Sequence, residues 1–170
     1  MPDERMRVER ADITKLAVDA VVNAANQSLR GGGGVDGAIH YNAGPKLLQA
    51  CIEIGSCPRG EARITPGFDL PARYVIHTVG PAWHGGDRGE AELLAKCYRN
   101  SFALAVDHGV RSIAFPAISC GAFSYPVLPA TEIAVREVRA FLETDTSVDC
   151  VTFACREKSI VAAYKKILAR

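Results

Sequence analysis

The side chains best equipped for chemistry lie close together in one stretch of the chain. Val21-Val22-Asn23-Ala24-Ala25-Asn26 carries two carboxamides, Gly31 to Gly34 are consecutive glycines, and Asp36 follows shortly after. The apolar run reads as a buried strand that delivers the carboxamides to its tip, and Val35-Asp36-Gly37-Ala38-Ile39 reads as the opening of a helix. Open α/β sheets hold ligands at such strand-to-helix crossovers, where free backbone N–H groups meet the positive end of a helix. A phosphate-containing ligand is expected here. Glycines have no Cβ, so a ligand can lie directly on their backbone, although an isolated glycine run would serve equally as a flexible connection. The run is not a P-loop, because no Lys-Ser or Lys-Thr follows it, and its contiguous glycines fit the spaced dinucleotide fingerprint poorly.

A second segment repeats the logic. Ile113-Ala114-Phe115-Pro116-Ala117-Ile118 runs into Ser119-Cys120-Gly121-Ala122-Phe123-Ser124-Tyr125-Pro126, a buried strand followed by small loop residues and then by a helical pattern from about Pro129. Two such loops on neighbouring strands could clamp a diphosphate between rows of backbone donors. The histidines carry less weight. His77 lies in an alternating strand and reads as a hydrogen-bonded structural residue, His40 falls one turn beyond Asp36 and could face either way, and His84 and His108 are scattered. The six cysteines contain no Cys-x-x-Cys pair and no histidine at zinc-ligand spacing, so neither a metal site nor a cofactor is expected. Cys97, Cys150 and Cys155 fall in apolar periodic segments and read as small core residues.

The elements that must position these groups follow from periodicity. Strands are expected at residues 6–9, 20–23, 62–64, 74–79, 112–118 and 150–155, separated by helical stripes. Ala91, Leu94, Ala95, Tyr98, Phe102 and Ala105 form one stripe, Ile133, Ala134, Val138, Phe141 and Leu142 another, and Ile160, Tyr164, Ile167 and Leu168 the last. Gly44-Pro45 divides a short helix from about Asp36 from a second that carries Leu47, Leu48, Cys51 and Ile52, with Pro45 in its first turn. Pro81 to Gly89 is a turn-rich loop in which Trp83 is exposed or covers a cleft. The largely alternating order argues for a mixed sheet with helices on both faces.

Length and composition bound the rest. At 170 residues, 48% hydrophobic and 23% charged, the chain is expected to form a single domain, residues 1–170. A net charge of +1 gives no support to an RNA partner. No run approaches the length of a membrane span and the first ten residues lack a signal-peptide core, so a reducing cytoplasm is the expected compartment.

Ala11-Asp12-Ile13-Thr14, Asn23-Ala24-Ala25-Asn26, Gly31 to His40, Val75-Ile76-His77-Thr78-Val79-Gly80-Pro81 and Phe115 to Tyr125 together resemble the macro domain family. Within it they are most similar to the MacroD-type branch that includes bacterial O-acetyl-ADP-ribose deacetylases. The resemblance spans nearly the whole chain and is most specific where the asparagine pair, the glycine run and Val35 to Ile39 occur together. It implies a three-layer α/β/α sandwich with a central mixed sheet and a cleft for ADP-ribose. By position, Asp12 and the Ile13 backbone would meet the adenine, Gly32, Gly33, Gly34 and Val35 would wrap the distal ribose and one phosphate, and Ser119, Cys120, Gly121, Ala122 and Phe123 the diphosphate, with Phe123 against the distal ribose. Asn23 is placed with these ligand-binding residues.

Asn26 and Asp36 correspond to the residues credited with hydrolysis in the family, Asn26 orienting the ribose and a water and Asp36 activating that water. A carboxylate at a helix N-terminus is stabilised in its ionised form, so Asp36 is expected to be a weak base, and a substrate phosphate is the alternative proton acceptor. Three positions depart from the family pattern. Ala11 stands where glycine is usual, Cys120 where threonine is usual, and Arg156 where several relatives present an aromatic ring to the adenine; its guanidinium could stack there instead. The resemblance implies a metal-independent hydrolase acting on O-acetyl-ADP-ribose and on mono-ADP-ribosylated acidic side chains of proteins. The alternative is a module that only binds ADP-ribose, which would have no need of a carboxamide and a carboxylate at the reacting end.

Overall fold

The computed structural model describes residues 3–170. Its strands are β1 (Met6–Arg10), β2 (Ala20–Ala24), β3 (Ala62–Pro66), β4 (Tyr74–Thr78), β5 (Ser112–Phe115) and β6 (Cys150–Cys155), in the spatial order β1-β6-β5-β2-β4-β3. All neighbours run parallel except β3 with β4. The helices are α1 (Gly34–Ala43), α2 (Pro45–Ile54), α3 (Glu90–Asp107), α4 (Val127–Thr144) and α5 (Lys158–Leu168). The expected α/β sandwich with a mixed sheet is what forms. Alternation is interrupted by the consecutive helices α1 and α2 and between β3 and β4, which follow one another without a helix and pair antiparallel at the sheet edge.

The two faces of the sheet are packed differently, as the period of two along each strand requires. Val22, Ile76, Ile113, Phe115, Val151 and Phe153 face α3, α4 and α5, where they meet Tyr98, Phe102, Val138 and Tyr164. This layer is rich in rings. Phe102 stacks on Phe141 with centroids 3.9 Å apart, and Phe153 on Tyr164 at 4.6 Å. The opposite residues, Val21, Val75, Ala114 and Ala154, are smaller and lie under Ile39, Ala43, Leu47 and Cys51 of α1 and α2. The same parity puts Asn23 and His77, register partners on β2 and β4, on this second face.

Because β1, β6, β5 and β2 are parallel neighbours, their carboxyl ends share one edge of the sheet. Asp12, Arg156, the loop at 116–126 and the loop at 25–33 leave from that edge, which is why segments distant in sequence converge. Pro45 occupies the first turn of α2, where its missing N–H is not needed, and Gly44 at φ 85° makes the break from α1. Two expectations are adjusted. β5 ends at Phe115 instead of reaching Ile118, because Pro116 cannot donate to the ladder and the chain turns through Ser119 at φ 66°. Cys150 is only half-buried, being the first residue of its strand. Trp83 is half-buried against Tyr125, its ring centroid 4.7 Å away.

Candidate active site

The cleft at the carboxyl edge has two connected lobes. The first, about 360 Å³, is lined by Asp12, Ile13, Cys120, Cys155 and Arg156 among others, and the second, about 370 Å³, by Asn26, Asp36, Gly80, Ser119 and Phe123. Gly34, Val35, Pro116, Ala117 and Gly121 line both and so form the waist. An elongated ligand would cross this waist with its middle between the two loops.

That middle is built for an anion. α1 begins at Gly34 with Gly33 as its N-cap and no side chain capping it. The N–H groups of Gly32, Gly33, Gly34 and Val35 make no backbone hydrogen bond among the described residues, and neither do those of Gly121, Ala122 and Phe123 across the waist. Uncapped donors at a helix N-terminus are a ready site for a phosphate or diphosphate. The loop at 116–126 is held open by its own turns, with Cys120 N–H donating to Ala117 O and Tyr125 N–H to Ser119 O. Cys120 opens onto the first lobe, so the loop divides: Cys120 serves that end, and Ser119, Ala122 and Phe123 serve the other.

At the second lobe, Asn26 and Asp36 flank Gly32. A Cβ on Gly32 would come within 3.3 Å of Asp36 Oδ2 and 3.6 Å of Asn26 Nδ2, so the glycine lets the two side chains approach the loop without crowding. The Asn26 amide is pinned, its Nδ2 donating to Gly31 O at 2.8 Å and its Oδ1 accepting from Ser28 Oγ at 2.8 Å. Asp36 Oδ1 accepts from Asn23 Nδ2 at 2.8 Å, and His40 Nε2 stands 3.5 Å from the same oxygen. Oδ2 takes no hydrogen bond among the described residues and is the oxygen open to chemistry.

Two expectations about these residues change. Asn23 is wholly buried and does not line the cleft, so it acts by holding Asp36 and not by touching a ligand. Asp36 is a stronger base than its helix N-terminal position alone would make it. Burial pushes its carboxyl above the usual carboxylate value, outweighing the hydrogen bond from Asn23 and the nearby His40, which both lower it. The first turn of a helix stabilises an exposed carboxylate, but Asp36 is only 6% exposed, and desolvation wins.

At the first lobe, Asp12 is also a turn residue: its Oδ1 caps a short 3-10 helix by accepting from Thr14 N at 3.0 Å and Thr14 Oγ1 at 2.7 Å. Its other oxygen is left for a ligand. Thr14 holds the Asp12 carboxyl below its usual value. Arg156 is exposed and lines the same lobe, its carbonyl fixed by Arg10 Nε at 2.8 Å. The Cys120 thiol is pushed up to about 12 and that of Cys155 to about 11 by burial, so both stay protonated and neither is an activated nucleophile.

Some positioning residues escape a reading of sequence alone. Gly80 lies in the second lobe, where a Cβ would strike Ser119 Oγ. Glu90, buried at the start of α3, accepts from the N–H groups of His84, Gly86 and Arg88 at 2.9, 2.9 and 2.6 Å. These bonds pull its carboxyl down to about 2. The loop so held donates Trp83 N–H to Phe123 O at 2.8 Å, tying Glu90 to the ring that lines the second lobe. A glutamate just after a glycine-rich turn was the available signal.

Comparison with known proteins bears on this arrangement. The family model described as Macro domain matches residues 22–134, the stretch that holds both site loops. A macro domain-containing protein of Chlorobaculum tepidum is 58% identical over 99% of each chain. A protein of Klebsiella pneumoniae named O-acetyl-ADP-ribose deacetylase is 57% identical over 93% of each. The Trypanosoma brucei macrodomain solved in complex with ADP-ribose superposes with a TM-score of 0.91 at 47% identity, covering 95% of this chain and 68% of that one. With the sheet order, the uncapped α1 and the paired loops in place, the chain belongs to the macro domain family.

Proposed function

We propose that the protein binds ADP-ribose along the cleft and hydrolyses esters on its distal ribose, releasing ADP-ribose from O-acetyl-ADP-ribose and from mono-ADP-ribosylated acidic side chains of proteins. The observation that carries this reading is the Asp36 carboxyl, buried, raised in basicity and with one oxygen free at the lobe that Asn26 also lines. A module that only binds would lose stability by burying this charge without any return in affinity. The bound ligand of the Trypanosoma brucei relative and the name of the Klebsiella pneumoniae relative support the same reading.

In the proposed reaction the adenine occupies the lobe with Asp12 and Arg156, and the diphosphate lies on the N–H groups of the waist. The distal ribose then sits against Phe123 with its ester beside Asn26 and Asp36. A water held by these two side chains attacks the acyl carbon while Asp36 Oδ2 takes its proton. The ribose–oxygen to acyl bond breaks, and the proton is returned to the departing ribose hydroxyl. The products are ADP-ribose and the free carboxylate. The chain's own residues supply each step, so turnover is expected to persist in EDTA. We place the enzyme in the cytoplasm, where its free cysteines would stay reduced.

The test of substrate range is incubation with a protein mono-ADP-ribosylated on glutamate. Release of ADP-ribose with an unmodified side chain is the expected result. Retention of the modification by enzyme that deacetylates O-acetyl-ADP-ribose would restrict the activity to small esters.

A further inference from the structure

Beneath Asp36 lies a buried chain of polar groups that the hydrolytic step does not touch. Asn23 Nδ2 is 2.8 Å from Asp36 Oδ1 and 3.1 Å from His77 Nδ1, and His77 Nε2 is 3.0 Å from Thr65 Oγ1. Asn23, His77 and Thr65 come from β2, β4 and the edge strand β3, and each is at most 4% exposed. Cys51 Sγ of α2 stands 3.8 Å from His77 Nε2, and the His40 ring of α1 is 6.4 Å from that of His77. Asp36 is the charged group nearest this chain.

Donor and acceptor roles along it are forced. An ionised carboxylate only accepts, so the Asn23 atom facing Asp36 must be the amide nitrogen. The same nitrogen faces His77 Nδ1, which must then be the bare, accepting nitrogen, and the ring proton lies on Nε2, where Thr65 Oγ1 accepts it. Burial lowers the His77 pKa to about 3, so the ring is neutral and has a tautomer to choose. Two buried atoms of this cluster have no hydrogen-bond partner among the described residues, His40 Nε2, which faces Asp36 Oδ1 at 3.5 Å, and Asn23 Oδ1 within the chain itself. Flipping the amide would turn that oxygen toward the carboxylate and the bare ring nitrogen at once. The arrangement thus leaves an acceptor unmatched in order to keep a donor on Asp36.

We propose that Thr65 and His77 are positioning residues, a relay in which Thr65 selects the His77 tautomer, His77 selects the Asn23 amide orientation, and Asn23 thereby holds the Asp36 carboxylate aimed and ionised. For its effect on turnover this inference rests on the hydrolase reading above. Without the Thr65 hydroxyl, only the weak acceptor Cys51 Sγ is left for the Nε2–H, and the ring is freer to carry the proton on Nδ1. Asn23 then turns its oxygen to the ring and toward Asp36, which favours the protonated acid.

The experiment is a titration of the Asp36 carboxyl carbon by NMR in the wild type, Thr65→Val, Thr65→Ser and His77→Gln, with ADP-ribose affinity measured by calorimetry and kcat for O-acetyl-ADP-ribose followed against pH. Thr65→Val and His77→Gln are expected to raise the Asp36 midpoint by about one pH unit, to move the acid limb of kcat up with it, and to leave ADP-ribose affinity unchanged. Thr65→Ser, which keeps the hydroxyl, is expected to titrate as the wild type does. An Asp36 midpoint that does not move in Thr65→Val would overturn the relay, and that variant, altered by one hydroxyl, decides the matter even where His77→Gln does not fold. Asp36→Asn separates the two readings: full turnover in it would refute the role of Asp36 in hydrolysis, while the wild-type and Thr65→Val titrations would still decide the relay.

Discussion

At Asp36 two effects oppose one another. The helix N-terminus and the Asn23 amide favour the charged form, burial disfavours it, and burial is the larger. Because the folded-state pKa lies above the usual 3.8, the native protein binds more protons than the unfolded chain across that window. Stability contributed by this group is therefore present below 3.8 and is lost as pH rises through the folded value. Removing the charge should then stabilise the fold while it removes the base. Asp36→Asn is expected to raise Tm by about 2–4 °C, the equivalent of about 1 kcal/mol, and to lower kcat by about 10²-fold or more. A lower Tm on thermal melting would show that the ionised carboxylate holds the site together. In the wild type, kcat should rise with pH with an acid limb above 3.8; a limb at or below that value would point to a substrate phosphate as the proton acceptor. The candidate pair was legible as residues because asparagines, glycines and an aspartate coincide in one stretch. The basicity of Asp36 was not, since it depends on burial by packing that a helical position does not reveal.

At the scale of elements, the site depends on α1 approaching the glycine loop more closely than a side chain allows. A Cβ on Gly37 would strike the Gly32 carbonyl, so Gly37→Ala must push the loop from the helix. Displacement of catalytic groups by about 1 Å can cost about 10²-fold, and a loss of that size in kcat/KM is expected with a melting temperature close to wild type. Unchanged kinetics would show that the loop moves without consequence. Glu90→Gln tests the opposite loop, since the neutral side chain keeps one acceptor where the carboxylate has two oxygens for three N–H groups. The Glu90 contribution is full above the usual 4.5 and lost as pH falls toward about 2, so it is intact at neutral pH. Weaker ADP-ribose binding in Glu90→Gln, read by calorimetry, is expected through Trp83 and Phe123, and wild-type affinity would detach this loop from the site. Both cleft loops were readable because glycine and small residues punctuate them. The role of Asn23 was not, because seeing it beside His77 requires the register of β2 on β4, which no local pattern encodes.

For the molecule as a whole, the order of strands and helices was legible from alternating periods, and the ring-filled layer from the stripes of α3, α4 and α5. The antiparallel edge was not, because a short connection between two strand-like runs does not say on which side the second will pair. The parallel neighbours matter most for function, since they bring five strand ends to one edge and so build a cleft long enough for two lobes. A ligand that spans both should stabilise the native state as a unit, and ADP-ribose at 100 times its Kd is expected to add about 2.7 kcal/mol, seen as a Tm increase of about 5–10 °C. Ester hydrolysis through Asp36 is put to the test by a time course with O-acetyl-ADP-ribose in EDTA, following acetate and ADP-ribose together in the wild type and in Asp36→Asn. Equimolar release of both products by the wild type and a loss of about 10²-fold or more in the variant are expected. Calorimetric binding of ADP-ribose by a wild type that releases neither product would contradict hydrolysis and leave a binding module.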